Sequence, residues 1–237
     1  MSAALVVDDL SVSFGGLDAL REVSIAADRG VVTGLIGPNG AGKTTLFNVV
    51  CGLQGAKAGT VRLDGRDVSR FRPHRRARLG LARTFQRLET FGSLTVRENL
   101  LVAAEAQVRI ASREVDALLE RVGLRDVASE YVDTLSTGTA RLVEVGRALA
   151  TRPEVLLLDE PSSGLDGAET ERFGALLGDL ARDGLAVLLV EHDVDLVMQA
   201  CAWIHVLDFG ELIASGTPDG VRADSAVQRA YLGNEAS

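Results

Sequence analysis

The chain has 237 residues, enough for one large or two small domains with a buried core, which excludes a disulfide-stapled miniprotein or a disordered tail. Its composition, 46% hydrophobic and 24% charged with 25 Gly and 5 Pro, is that of an ordinary globular chain. Lys+Arg 25 against Asp+Glu 33 gives a net charge of −8, which argues against nucleic acid as a partner, because that partner demands a basic footprint.

The first ten residues carry acids at Asp8 and Asp9 and no long apolar core, so they do not read as a secretion signal. Leu10, Val12 and Phe14 alternate with polar residues, the pattern of a half-exposed strand, expected to pair with Val61 to Leu63 in a small antiparallel piece. Val31 to Ile36 is the first of four apolar runs separated by helical patterns. The others are Val155 to Leu158, Leu185 to Val190 and Ile204 to Leu207. Short β-branched and Leu-rich runs of this kind predict a buried parallel sheet in an α/β fold. The purely apolar runs reach six residues at most, far short of the roughly 20 that cross a bilayer as a helix.

Directly after the first run, Gly37-Pro38-Asn39-Gly40-Ala41-Gly42-Lys43-Thr44 satisfies G-x-x-x-x-G-K-[ST] and precedes an apolar helix at Leu46, Val49 and Val50. Strand, loop and helix together are the context in which backbone N–H groups turn inward onto phosphate, Lys43 reaches the β- and γ-phosphates and Thr44 offers a hydroxyl to Mg²⁺. The chain has only two lysines, Lys43 and Lys57, so an otherwise Arg-rich sequence keeps a compact ammonium where a phosphate site needs one. Cys51 and Cys201 lie far apart with no CxxC spacing, which suggests neither a zinc site nor a disulfide and fits a reducing cytoplasm.

Arg66 to Arg87 holds eight arginines and one acid, Asp67, so this stretch carries +7 and leaves −15 to the rest of a chain of net charge −8. Two readings stand: a basic face for an acidic protein loop or anionic headgroups, and a solvated helix around Pro73 to Leu79 with intramolecular partners. Residues 88–150 read as a helical insert. Thr95 and Glu98 form a capping box before Leu100, while Val115, Leu118, Leu119 and Val122 keep helical spacing up to Gly123. Val155 to Leu158 then ends in Asp159 and Glu160, the arrangement that sets one acid beside the metal of a phosphate-loop site and the next within reach of an attacking water. His74 and His205 have no comparable context and are expected to be structural.

The set resembles the ATP-binding cassette family, whose signature motif reads L-S-G-G-Q. Leu135-Ser136-Thr137-Gly138-Thr139 is similar to that signature, Thr84-Phe85-Gln86 to the family's Q-loop and Ser163-Gly164-Leu165-Asp166 to its D-loop. His192, in Val190-Glu191-His192-Asp193, resembles the switch histidine, and Phe14, 29 residues before Lys43, the aromatic that stacks on adenine. The resemblance implies a P-loop NTPase (RecA-like) core over 1–87 and 151–237 with a small antiparallel β piece, and a helical subdomain over 88–150 that carries the signature.

It also implies a site. ATP would be held by Phe14, by Gly37, Pro38, Asn39, Gly40, Ala41, Gly42, Lys43, Thr44 and Thr45, and by Asp166; Mg²⁺ by Thr44, Gln86 and Asp159; and Glu160, His192 and Gln86 would be catalytic. Ser136 and Gly138 would serve, in trans, the nucleotide of a second cassette, so that function requires a homo- or heterodimer closed by ATP and released by hydrolysis. Thr137 and Thr139 depart from the pattern, the latter standing where the family has Gln, and reduced or asymmetric turnover is expected.

Finer likeness points to one branch. Phe14-Gly15-Gly16-Leu17, Leu94-Thr95-Val96-Arg97-Glu98-Asn99-Leu100 and the tail Ala230-Tyr231-Leu232-Gly233 look like the cassette of high-affinity branched-chain amino acid importers. Those combine two cassettes at the cytoplasmic face of the membrane with permease subunits and an external binding protein; relatives carry urea and short amides. Non-transport ATPases of this type typically bring a coiled-coil insert, a second cassette or a strongly basic face, and in a chain of net charge −8 with one local basic stretch none of these is expected.

Overall fold

A computed structural model describes residues 3–105 and 112–232. Met1, residues 106–111 of the expected helical insert and Gly233 of the tail motif lie outside them. The chain opens with β1 (Ala3–Phe14) and β2 (Leu17–Asp28), an antiparallel hairpin closed by Gly15 and Gly16. Both glycines have positive φ, 54° and 92°, as a two-residue turn matched to the strand twist requires. β3 (Val32–Ile36) leads through a loop into α1 (Lys43–Cys51); β4 (Ala58–Leu63), β5 (Arg66–Asp67), α2 (Pro73–Ala77) and β6 (Leu81–Arg83) follow. α3 (Val96–Glu105), α4 (Ser112–Arg121), a 3-10 turn (Val132–Thr134) and α5 (Thr137–Ala150) occupy the stretch that reads as helical. The chain then alternates: β7 (Val155–Asp159), α6 (Gly167–Arg182), β8 (Ala186–Val190), α7 (Val194–Ala200), β9 (Trp203–Asp208), β10 (Glu211–Gly216), α8 (Pro218–Ala223) and α9 (Ser225–Leu232).

Two sheets result. One is antiparallel, in the order β2-β1-β4-β5, and Val7 faces Val61 across its β1–β4 pair. The other runs β10-β9-β3-β8-β7-β6, parallel except for its edge pair β9–β10. Its central strands are buried on both faces, which is why they read as unbroken apolar runs. In β7, Leu156 and Leu158 join a core shared with α5 and α6, whereas Val155 and Leu157 join a second core with β1, β2 and α1. The same split divides Val187 and Leu189 from Ala186, Leu188 and Val190. Among the described residues no helix is long and apolar enough to cross a membrane.

The basic stretch does double duty. Arg76, 1% exposed, donates from Nη1 to the carbonyls of Val49 and Val50, both at 2.7 Å, and from Nε and Nη2 to those of Phe71 and Ser69. The first two belong to the last turn of α1, whose carbonyls have no partner within the helix. A buried cation thus closes the helix that carries Lys43 at its other end.

Candidate active site

The loops after β3, β6, β7 and β8 meet at the carboxyl edge of the parallel sheet, the place where open α/β sheets bind ligands. Between β3 and α1 the chain turns tightly. A Cβ on Gly37 (φ 152°) would stand 2.0 Å from the Leu207 carbonyl oxygen, so β9 leaves room for glycine alone. Lys43, the first residue of α1 and 7% exposed, donates from Nζ to the carbonyls of Gly37 at 2.6 Å and Pro38 at 3.0 Å. Burial lowers its pKa, and the nearby Glu160 and Asp159 carboxylates act in the opposite direction. A cleft of about 360 Å³ is lined by Ala19, by the loop and helix start from Asn39 to Thr45, and by Gln86, Glu160, Val190 and His192.

Two carboxylates end β7. Asp159, 2% exposed, accepts from Arg83 Nη2 at 2.8 Å, and its N–H donates to Thr84 Oγ1 at 3.2 Å. Arg83 also donates to Asn48 Oδ1 at 2.7 Å and lies over the rings of Phe47 and Phe85. Glu160 adopts φ 52°, a left-handed conformation that costs a non-glycine residue about 1 kcal/mol or more, and its N–H donates to the Val190 carbonyl at 2.9 Å. That bond from the neighbouring strand turns the side chain toward the cleft lip. There Glu160 Oε1 is 2.6 Å from His192 Nε2, and Oε2 accepts from Gln86 Nε2 at 3.4 Å. The three residues expected to be catalytic meet on one carboxylate.

Seven expected site residues do not line this cleft: Gly37, Pro38 and Asp159, which lie behind it, and four that lie apart from it, Phe14, Ser136, Gly138 and Asp166. Phe14 sits at the hairpin tip, 53% exposed, and Ala19 of β2 borders the cleft instead. Ser136 caps α5: its Oγ accepts the Thr139 N–H at 3.1 Å and is 2.8 Å from Thr139 Oγ1. Gly138 packs on the loop before α6, where an added Cβ would lie 2.5 Å from the Gly164 oxygen. Asp166 caps α6 in a reciprocal box with Glu169, both bonds at 2.8 Å.

The structure adds residues that sequence reasoning passed over. Arg141 of α5 donates to the Phe85 carbonyl at 2.6 Å, to the Gln86 carbonyl and to Glu144 at 2.8 Å. Glu144 accepts the Glu89 N–H at 2.8 Å, and Arg147 donates to the Glu89 carbonyl while lying over Phe91. These side chains hold the Gln86 segment to the helix that starts at Ser136, and burial raises the Glu144 pKa. Their spacing of three along one helix face reads in sequence as an ordinary charged stripe. Glu191, 5% exposed, accepts the Ser162 N–H at 2.8 Å and secures the loop after Glu160; burial raises its pKa too. Tyr231 of α9 lies against the Gly37 backbone: burial raises its pKa and the Gly37 amide lowers it.

The donor set fits a magnesium-bound polyphosphate. Loop amides and a buried ammonium answer phosphate oxygens, while the Thr44 hydroxyl, the Asp159 carboxylate and the Gln86 amide are hard oxygen donors of the kind that hold Mg²⁺ together with phosphates. Among the described residues no group of three His, Cys, Asp or Glu forms a metal cage by itself.

Comparison with known proteins agrees with this geometry. The family described as "ABC transporter" matches residues 20–163, and the family described as "Branched-chain amino acid ATP-binding cassette transporter" matches residues 211–237. The chain is 38% identical to the high-affinity branched-chain amino acid transport ATP-binding proteins BraF of Pseudomonas aeruginosa and LivG of Escherichia coli, over 97% of both chains in each case. It is 34% identical to the lipopolysaccharide export system ATP-binding protein LptB of Haemophilus influenzae, over 98% of both chains. Among solved structures, the ADP conformation of an ATP-binding cassette of an ABC transporter superposes with a TM-score of 0.89 at 30% identity, covering 98% of this chain and 100% of that one.

Proposed function

The chain belongs to the ABC transporter family of ATP-binding cassettes, and from that premise we propose that it is the ATP-hydrolysing motor subunit of a branched-chain amino acid importer. One observation carries the chemistry: Gln86, Glu160 and His192 converge on a single carboxylate at the lip of the phosphate-loop cleft. The match of residues 211–237 to the branched-chain transporter family supports the cargo.

The loop amides from Asn39 to Thr45 and the Lys43 ammonium bind the β- and γ-phosphates, and Lys43 exchanges its carbonyl partners for phosphate oxygens. Thr44, Asp159 and Gln86 would hold Mg²⁺, which when bound neutralises charge on the phosphates. Glu160 orients a water and takes its proton as the water oxygen bonds to the γ-phosphorus and the bond to the ADP oxygen breaks. His192 fixes the Glu160 carboxylate in that role. Arg83 holds Asp159 in place before nucleotide arrives, because a carboxylate buried to this degree needs a cationic partner.

Ser136, Gly138 and Asp166 lie off the cleft of their own chain and serve the nucleotide of a second cassette, so the working unit is a dimer. The γ-phosphate makes contacts in the closed dimer that ADP lacks, so it supplies the differential affinity that closes the pair. Residues 88–150 form the arm that carries the signature, and the Gln86 segment passes closure to permease subunits, which hold the chain at the cytoplasmic face and receive solute from an external binding protein. Purified complex in liposomes tests the reading: ATP hydrolysis should need both cassettes and the permeases and should stop with Lys43→Ala. Hydrolysis by this chain that ignores its permeases would overturn it.

A further inference from the structure

The basic stretch does not end with Arg76 and Arg83. Arg66, Arg70, Arg72, Arg75, Arg78 and Arg87 are all exposed, and none forms an ion pair or side-chain hydrogen bond among the described residues. Elsewhere the exposed arginines divide: Arg21, Arg121, Arg125, Arg152 and Arg182 each hold an acid, whereas Arg113, Arg172, Arg222 and Arg229 form no ion pair among the described residues but are spread along the chain rather than gathered within one stretch. The single acid of the stretch, Asp67, is taken by Ser69, whose N–H and Oγ donate to it at 2.8 and 2.6 Å. Arg66 of β5 and Arg75 of α2 both lie over the Phe71 ring, at 5.1 and 5.3 Å, which draws the two elements into one face.

From this we propose that the Arg66–Arg87 face docks onto the anionic phosphate headgroups of the membrane leaflet beside the permease. None of the six lines the active-site cleft or the groove between β6 and α5, so the face offers surface, which suits an array of headgroup phosphates rather than one inserted side chain. Guanidinium forks also match phosphate geometry. Its orientation rests on the transport reading: Arg87 follows Gln86, and Ala77 of α2 borders the groove with Phe85, so this face shares an edge with the segment proposed to meet the permease. Binding itself does not, because a chain of net charge −8 adheres to an anionic surface only through a local patch.

The test is co-sedimentation of the full chain with vesicles of phosphatidylcholine and phosphatidylglycerol, 70:30 by about the proportion of an anionic leaflet, against phosphatidylcholine alone. Wild type should pellet with the anionic vesicles at low salt, release at high salt and ignore the neutral ones. Arg70→Gln/Arg72→Gln/Arg78→Gln should bind about 100-fold more weakly, at roughly five-fold per arginine. A charge-matched control, Arg121→Gln/Arg125→Gln/Arg152→Gln, should bind like wild type. The proposal is overturned if wild type ignores anionic vesicles at low salt, if both triple variants weaken alike, or if the face retains a polyglutamate peptide but no vesicles, which would assign it to an acidic protein partner. Nucleotide binding measured on the same samples separates this failure from that of the motor reading: ATP binding retained without vesicle binding rejects only the lipid face.

Discussion

Glu160 is the residue on which the proposed chemistry turns. Its strained backbone is secured by β8, and its carboxylate is shared by Gln86 and His192. Glu160→Gln is expected to keep ATP affinity and lower kcat by about 10²- to 10⁴-fold, the contribution of a positioned general base; single-turnover hydrolysis measures it. Thr139 works differently. Its hydroxyl lies 2.8 Å from Ser136 Oγ, a competing partner for the hydroxyl that should face a second cassette's nucleotide. Thr139→Gln removes that bond, and the steady-state ATPase of the assembled complex should rise about five-fold, as for one hydrogen bond of about 1 kcal/mol; an unchanged rate would sink this explanation. Glu160 is legible as the second acid at the end of an apolar strand, and Gln86 and His192 through the family resemblance of the segments that hold them. Arg83 and Arg141 are not, since an arginine's partner is chosen by chain folding: Asp159 lies 76 residues from Arg83, and the Gln86 carbonyl 55 from Arg141.

Elements show where periodicity succeeds and fails. The central strands announced themselves as apolar runs, and their bounds moved by about one residue, β8 beginning at Ala186 rather than Leu185 and β9 spanning Trp203–Asp208. Long β2 is not legible because register shifts along the β1–β2 ladder break its alternation, and β10 because it is an edge strand with no fully buried residue. Helix α1 depends on Arg76: Arg76→Ala takes the side-chain donor from the Val50, Phe71 and Ser69 carbonyls, while Val49 keeps the Gly52 N–H at 3.0 Å, and should cost about 3 kcal/mol or more of unfolding free energy, read by urea denaturation. His205 joins β9 to β2 and β10, with Nε2 at 3.1 Å from the Ala26 carbonyl and Nδ1 at 2.8 Å from Ser215 Oγ. Burial lowers its pKa in the fold below the unfolded value of about 6.5, so the unfolded chain binds more protons and stability falls as pH drops through that value. His205→Gln should flatten the stability profile between about pH 7 and pH 5.

Over the whole molecule, the proposed dimer draws on two separate surfaces of the chain. The phosphate loop, Asp159 and Glu160 lie at the carboxyl edge of the parallel sheet, while Ser136 and Gly138 begin α5, which is tied to Gln86 by Arg141 and to Glu89 by Glu144. The α/β class and the core strands could be read from the apolar runs; how the arm is pinned to the core could not, because that contact is made by side chains reaching backbone carbonyls, which no residue pattern encodes. The most direct measurement is uptake of labelled leucine and valine, with urea as comparator, in cells whose only copy of this chain is wild type or Glu160→Gln at matched expression. Leucine and valine uptake should collapse in the variant while urea uptake is unchanged; undiminished leucine and valine uptake, with redundant carriers removed, would contradict the importer assignment.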